Sequence, residues 1–205
     1  MKTTTPLDLA ALVGPAAWSR LPAALQRRFA ANHAPVTYRG RLDIRCSPLG
    51  RVLAWLVKPF RSPLVAANAT GVPTTVRVSP VGTGVLWERS FEGGVGHVCS
   101  TKELDSTGRL CERTHGGLGM TLRVYERDGA LVFESQRYFL ALGRLHIVIP
   151  RLLSPGTCRV EHCDLGDEQF RFTLSMTHPL WGETFHQSGV FKDPSPLDTH
   201  RPPAH

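Results

Sequence analysis

No apolar run in this chain approaches the roughly 18 residues that carry a helix across a bilayer, which excludes a transmembrane helix. The apolar stretch nearest the start, Leu7 to Val13, is interrupted by Asp8 and preceded by Pro6, and no small-x-small cleavage site follows it. It therefore reads as a short helix of the mature protein rather than as a signal peptide. Cysteine is scarce. Cys46, Cys99, Cys111, Cys158 and Cys163 are odd in number and irregularly spaced, which argues against a disulfide framework and for reduced thiols in the cytoplasm. Acidic residues are almost missing from the first third: residues 1–60 hold nine Lys/Arg against two Asp/Glu, while residues 61–205 hold fifteen of each. The whole net charge of +7 thus sits at the front of the chain. Such a segment suits plain solvation, an acidic partner or peripheral contact with an anionic membrane. Nucleic acid is not expected, because the arginines are not interleaved with stacking aromatics.

Signatures of catalysis and cofactor binding are also missing. Gly93-Gly94-Val95-Gly96 and Gly116-Gly117-Leu118-Gly119 match neither a phosphate loop nor a dinucleotide fingerprint, and neither opens a helix; both read as hairpin turns. No G-x-S-x-G occurs, and Ser188 before Gly189 is a weak nucleophile candidate. Cys158 and His162 share a strand face, but Cys163 points away from it. His97 and Cys99 share a face but need ligands from elsewhere. No metal and no cofactor is expected, and the balance leans away from an enzyme.

What the chain has in abundance is alternation. Val36, Tyr38, Gly40, Leu42, Ile44 and Cys46 fall on one side of a strand, and Thr37, Arg39, Arg41, Asp43 and Arg45 on the other. Phe170, Phe172, Leu174 and Met176 alternate with Arg171, Thr173, Ser175 and Thr177 in the same way. Further strands are predicted over Val72–Ser79, Val85–Glu92, Gly96–Glu103, Arg109–Thr114, Leu118–Arg127, Ala130–Leu140, Thr157–Leu165 and Glu183–Phe191. Between them stand turn signals such as Asp128-Gly129 and Gly166-Asp167. Leu145 to Leu153, broken by Pro150 and followed by Pro155, fits a turn, an irregular strand or a short helix. A helix is expected over Pro22–Asn32. A second is expected over Leu49–Phe60, apolar on most sides and so placed to cover something greasy. The fold class is mainly β (α+β): a strongly curved antiparallel sheet or partly closed β-barrel with N-terminal helices and a short apolar covering helix. Three regions follow: a basic helical segment 1–35, a single β-rich domain 36–191, and a disordered Pro-rich tail 192–205.

Polar residues on the predicted inner face mark the candidate site. Arg89 shares its side with Trp87 and Phe91, and Glu112 shares its side with Leu110. A charge on a dry face is expensive unless paired, so Arg89 and Glu112 are candidate partners across the interior. Such a pair serves either to fix strand register or to orient a mostly apolar ligand. Trp87, Arg89, Phe91 and Glu112 are therefore ligand-binding candidates, joined by His97 and Glu161, with His186 further down the order.

These features resemble a bacterial family, the domain of unknown function 4166. The likeness lies in Tyr38-Arg39-Gly40 followed by Leu49–Phe60, in Trp87-x-Arg89-x-Phe91-x-Gly93, and in Leu110-x-Glu112-Arg113. It extends to the proline-flanked stretch Leu145–Pro155 and to Phe170-x-Phe172 with Pro179 and a final glycine-containing strand. It covers most of residues 36–191, and residues 1–35 match least. The resemblance implies a domain found alone or attached to saccharopine-dehydrogenase-like proteins, with no established reaction. Any oxidoreductase role, as enzyme or accessory subunit, then requires a separate dehydrogenase-like partner.

The expectation that results is a non-catalytic module holding an apolar or amphipathic, lipid-like small molecule in the concavity of its sheet. Two alternatives remain: an enzyme or oxidoreductase subunit using the Arg89/Glu112 pair, and an adaptor that docks on a membrane or protein through residues 1–60. The expected location is cytoplasmic, with a position peripheral to the membrane left open.

Overall fold

Alternation along ten strands bends a single antiparallel sheet until its ends meet. The computed structural model describes residues 6–31, 34–60, 64–94, 96–143 and 145–194. The strands are β1 (Val36–Cys46), β2 (Ala69–Val81), β3 (Gly84–Phe91), β4 (Gly96–Leu104), β5 (Leu110–Thr114), β6 (Leu118–Arg127), β7 (Ala130–Leu142), β8 (Leu145–Ile149), β9 (Thr157–Gly166), β10 (Gln169–His178) and β11 (Gly182–Lys192). Neighbours pair in the order β6-β5-β4-β3-β2-β1-β11-β10-β9-β7, and the β6–β7 hairpin over Asp128-Gly129 closes the ring. The result is a closed ten-stranded barrel, a step beyond the partly closed sheet expected. Closure pairs β6 with β7 and so removes the free edges that an open sheet of these ten strands would present to other chains.

β8 stands outside the ring. β7 gives one edge to β6 and divides the other, pairing with β9 over Leu131–Glu134 and with β8 over Tyr138–Leu142. The ambiguous stretch from Leu145 is therefore a short strand followed by a 3-10 turn over Arg151–Leu153.

Inward positions carry the core: Tyr38, Leu42, Ile44 and Cys46 of β1 are buried while Arg39, Arg41, Asp43 and Arg45 are exposed. Gly40, also inward, lies against Phe191 of β11, where a Cβ would collide with the ring.

The two mouths are covered differently. Three short helices, α1 (Leu9–Val13), α2 (Pro15–Trp18) and α3 (Ala23–Arg28), lie over the end where the β2–β3, β4–β5 and β6–β7 turns emerge. The Leu7 amide donates to the Thr83 carbonyl at 2.9 Å, and Arg20 pairs with Glu126. Leu25 and Phe29 are buried. Arg28 is buried too. Its Nε donates to Asp193 at 2.9 Å and its guanidinium lies 3.8 Å from the centre of the Phe170 ring. The basic opening segment is therefore the barrel's first lid. The expected helix over Pro22–Asn32 is shorter than read, ending at Arg28, and Asn32 lies outside the described residues. Of the expected tail, Lys192 ends β11 and Asp193 holds Arg28, so both belong to the barrel, and residues 195–205 lie outside the described residues. The fourth helix, α4 (Pro48–Val57), sits at the opposite mouth, continued by a 3-10 turn over Lys58–Phe60. Among the described residues no helix is long and apolar enough to cross a membrane.

Candidate functional site

Four inward side chains on three successive strands form one ionic cluster. Lys102 on β4 is the direct cross-strand partner of Glu112 on β5, and its Nζ lies 3.0 Å from Glu112 Oε2. Ser100, two residues before Lys102 and so on the same face, donates its hydroxyl to Glu112 Oε1 at 2.6 Å. Arg89, one strand further on β3, places Nη2 at 3.7 Å from the same oxygen. All four side chains are buried. Burial by itself would raise the Glu112 pKa, but Lys102, Arg89 and the Ser100 hydroxyl together hold it below the ordinary value of 4.5. Lys102 is also lowered, from its usual 10.5, because burial outweighs the support that Glu112 gives its charge. The cluster thus holds two cations against one carboxylate. Aromatic faces share the excess: Lys102 Nζ lies 4.8 Å from the Trp87 ring centre, and Arg89 lies 5.7 Å from that of Phe172.

On the α1–α3 side of this cluster the barrel is packed by rings. Phe29 meets His162 edge-on at 4.9 Å and stacks on Trp87 at 6.2 Å, and Phe133, Phe170 and Phe172 surround His162. His162 is buried and its Nδ1 has no hydrogen-bond partner among the described residues. Burial first, then Arg28, Lys102 and Arg89, hold this imidazole neutral well below its usual 6.5. What space remains here is a void of about 20 Å³ beside Arg89 and His162 and one of about 100 Å³ beneath the N-terminal helices.

On the α4 side the barrel opens into a cavity of about 70 Å³. Its walls are largely apolar (Leu53, Val57, Leu118, Met120, Ile149, Met176), and its polar groups are Glu112, Ser100, Thr114, Tyr138 and Ser154. The Tyr138 hydroxyl is buried without a hydrogen-bond partner among the described residues.

α4 covers this mouth in an inverted manner. Ser47 caps it, accepting from the Gly50 amide at 3.1 Å, and Pro48 occupies its first turn. The buried residues are the small ones, Gly50 and Ala54, whereas Val52, Trp55 and Leu56 are 53%, 71% and 53% exposed. Gly50 sits so close to the Thr184 carbonyl on β11 that a Cβ would collide with it. Gly50→Val is therefore expected to unseat α4. Proteolysis within residues 47–60 should accelerate about five- to thirtyfold, the population shift that 1–2 kcal/mol of overpacking produces; an unchanged cleavage rate would contradict this seating.

The rest of the rim is also apolar. Leu142, Leu145, Ile147 and Val148 of the β7–β8 hairpin are exposed there, as are Leu152 and Leu153 of the following turn and Leu180 and Trp181 between β10 and β11. Eleven of the sixteen exposed large hydrophobic side chains of the described residues thus crowd one end of the barrel. Scattered singly they would be ordinary; gathered round a cavity mouth they form a patch.

The interior unites Trp87, Arg89 and Glu112, as the alternation implied. Phe91 is inward and buried but lines none of the three cavities. His97 and Glu161 do not join them: His97 is exposed on the outer face of β4, Glu161 lies on the outer face of β9, and His186 pairs with Glu183 outside the barrel. Their strands carry the opposite parity inward, at Val98 and Ser100 and at Val160 and His162. Lys102, Ser100 and Tyr138 were missed. Lys102 alternates in phase with Val98, and that parity was the available signal. Cys158 and His162 share a face, as expected, and that face is the inner one, but among the described residues no three His, Cys, Asp or Glu side chains gather in a way that would hold a metal. All five cysteines are unpaired.

None of the curated proteins matches this chain. A family model, described as a domain of unknown function (DUF4166), matches residues 21–191, reaching further toward the N-terminus than the motifs alone and taking in α3. With most of its length inside that match, the chain belongs to the domain of unknown function 4166 family.

Proposed function

We propose that this barrel is a non-catalytic carrier of an apolar or amphipathic, lipid-like small molecule, held at the α4 mouth. The observation that carries this reading is the apolar cavity of about 70 Å³ between Met120, Leu118 and α4, opening onto an apolar rim. A water needs about 10–15 Å³ measured in this way, so the cavity takes roughly five to seven water-sized groups. It would hold the end of a ligand, with the remainder lying along the rim.

The polar floor narrows the ligand class. Among the described residues Glu112 is the charged side chain that lines the cavity, and its charge disfavours a carboxylate inserted head first. A hydroxyl end, as in a long-chain or isoprenoid alcohol, can donate to Glu112 or accept from the Tyr138 hydroxyl. A proton-transfer role for Glu112 fits less well, because its oxygens face Ser100, Lys102 and Arg89 and its pKa is held low.

Native mass spectrometry of protein purified without detergent and incubated with dodecanol or laurate tests this. A one-to-one dodecanol adduct at least about tenfold more abundant than the laurate adduct is expected, the ratio that one lost polar contact of about 1.4 kcal/mol produces. Absence of any adduct, together with a bare mass on purification, would contradict the carrier reading.

A further inference from the structure

The face of α4 that looks outward is the face a soluble helix normally turns inward. Gly50 and Ala54, one helical step apart, hold α4 on the barrel, and Trp55 is left 71% exposed. The same end carries Leu153, at 69% exposed, and Trp181 on separate loops. These tips come from chain segments far apart in sequence, yet all project beyond one mouth. Tryptophan at the edge of such a patch is the residue type that settles at the level of lipid headgroups.

Charge at this end has one prevailing sign. Arg51 lies on α4, Lys58 caps its C-terminus and Arg151 precedes Leu152; all three are exposed and none has an ion-pair partner among the described residues. Of the carboxylates nearby, Glu183 is engaged by Arg45 and His186, and Asp43 accepts from the Gly71 amide, leaving Glu92.

We infer that the α4 end of the barrel is a docking surface for an anionic lipid bilayer. The apolar tips sink to the headgroup boundary while Arg51, Lys58 and Arg151 meet anionic headgroups. Insertion to about 5–10 Å would place the cavity mouth against the acyl region. The purpose of the docking rests on the carrier reading, since the mouth that touches lipid is the one through which an apolar ligand passes. The surface differs from the one charge counting singles out. The basic first third is divided, with residues 6–31 over one mouth and residues 48–60 at the other, so only the latter part touches the bilayer.

Flotation of the full chain with phosphatidylcholine vesicles, with and without phosphatidylglycerol, tests the inference. Binding to the anionic vesicles should exceed binding to the neutral ones by at least about tenfold and fall steeply with added salt. Each of Arg51→Gln, Lys58→Gln and Arg151→Gln should weaken the anionic preference by about fivefold, corresponding to about 1 kcal/mol per charge. Trp55→Ser combined with Leu153→Ser should weaken binding to both vesicle types by about tenfold or more. All these positions are exposed, so melting should be unchanged. Equal binding to the two vesicle types, or full binding by the Trp55/Leu153 variant, would overturn the inference. So would a soluble dimer dissolved by those substitutions with no flotation, since the face would then be an interface between copies of this chain. A dodecanol adduct without flotation would sink the docking alone; flotation without an adduct would sink the carrier reading alone.

Discussion

Glu112→Gln is expected to destabilise the barrel by roughly 3–5 kcal/mol, because it leaves Arg89 and Lys102 buried with no counter-charge. In a chain of 205 residues that corresponds to a fall in melting temperature of about 6–20 °C. The expected cost is asymmetric within the cluster. Lys102→Met leaves one cation facing one carboxylate, so it should cost far less than Glu112→Gln. Replacing Arg89, Lys102 and Glu112 together by Met, Met and Leu should be close to neutral or stabilising by about 1–4 kcal/mol. The pH dependence follows from the same groups. The folded pKa of Glu112 lies below its ordinary 4.5, so its contribution is present above about pH 4.5 and is lost as the pH falls through the lower folded value. Lys102, lowered from 10.5, adds a gain in stability as the pH rises through its folded value toward 10.5. That gain should be larger in Glu112→Gln, where Lys102 has lost its partner. A Glu112→Gln protein that melts with the wild type would refute the buried-pair description.

His162→Phe should remove most of the acid sensitivity just below about pH 6.5. In the folded barrel this imidazole stays neutral among Phe29, Phe133, Phe170 and Phe172, whereas in the unfolded chain it takes a proton near 6.5. Its folded pKa is lowered, so the stability it contributes is complete above about 6.5 and declines below that value. The slope approaches about 1.4 kcal/mol per pH unit between that value and the lower folded one. Phenylalanine fits the ring cluster and leaves no orphaned Nδ1. Urea titrations at pH 7 and pH 5 measure the difference. Equal losses for His162→Phe and the wild type would show that the imidazole is charged in the fold.

Much of this architecture is readable from parity alone. The ten barrel strands and their turns, from the Val36–Cys46 alternation to Asp128-Gly129, are local features of the chain, and the structure shifts their ends by a few residues at most. The pairing of Arg89 with Glu112 is also legible, because a charge in phase with Trp87 or Leu110 needs a partner. Lys102 carries the same signal, a charge in phase with Val98, but its pairing directly opposite Glu112 is not legible, because cross-strand register depends on the whole ring. Parity likewise separates His97 and Glu161 from the interior once the strands are fixed. The inverted faces of α4 escape a pattern search because Leu49, Val52, Leu53, Leu56 and Phe60 share helical spacing. The close approach of Gly50 to Thr184 turns the small face, Gly50 and Ala54, toward the barrel instead. Closure depends on β7 dividing one edge between β8 and β9, a non-local event that Pro150 disguises as a simple break.

The most direct measurement is displacement of a fluorescent long-chain alcohol by dodecanol, compared between the wild type and Leu118→Trp, whose larger side chain occupies the α4-side cavity. Saturable binding at one site in the wild type, weakened at least about tenfold in a Leu118→Trp protein that still melts cooperatively, is the result expected of a carrier. Equal binding by both proteins, or none by either, would contradict it.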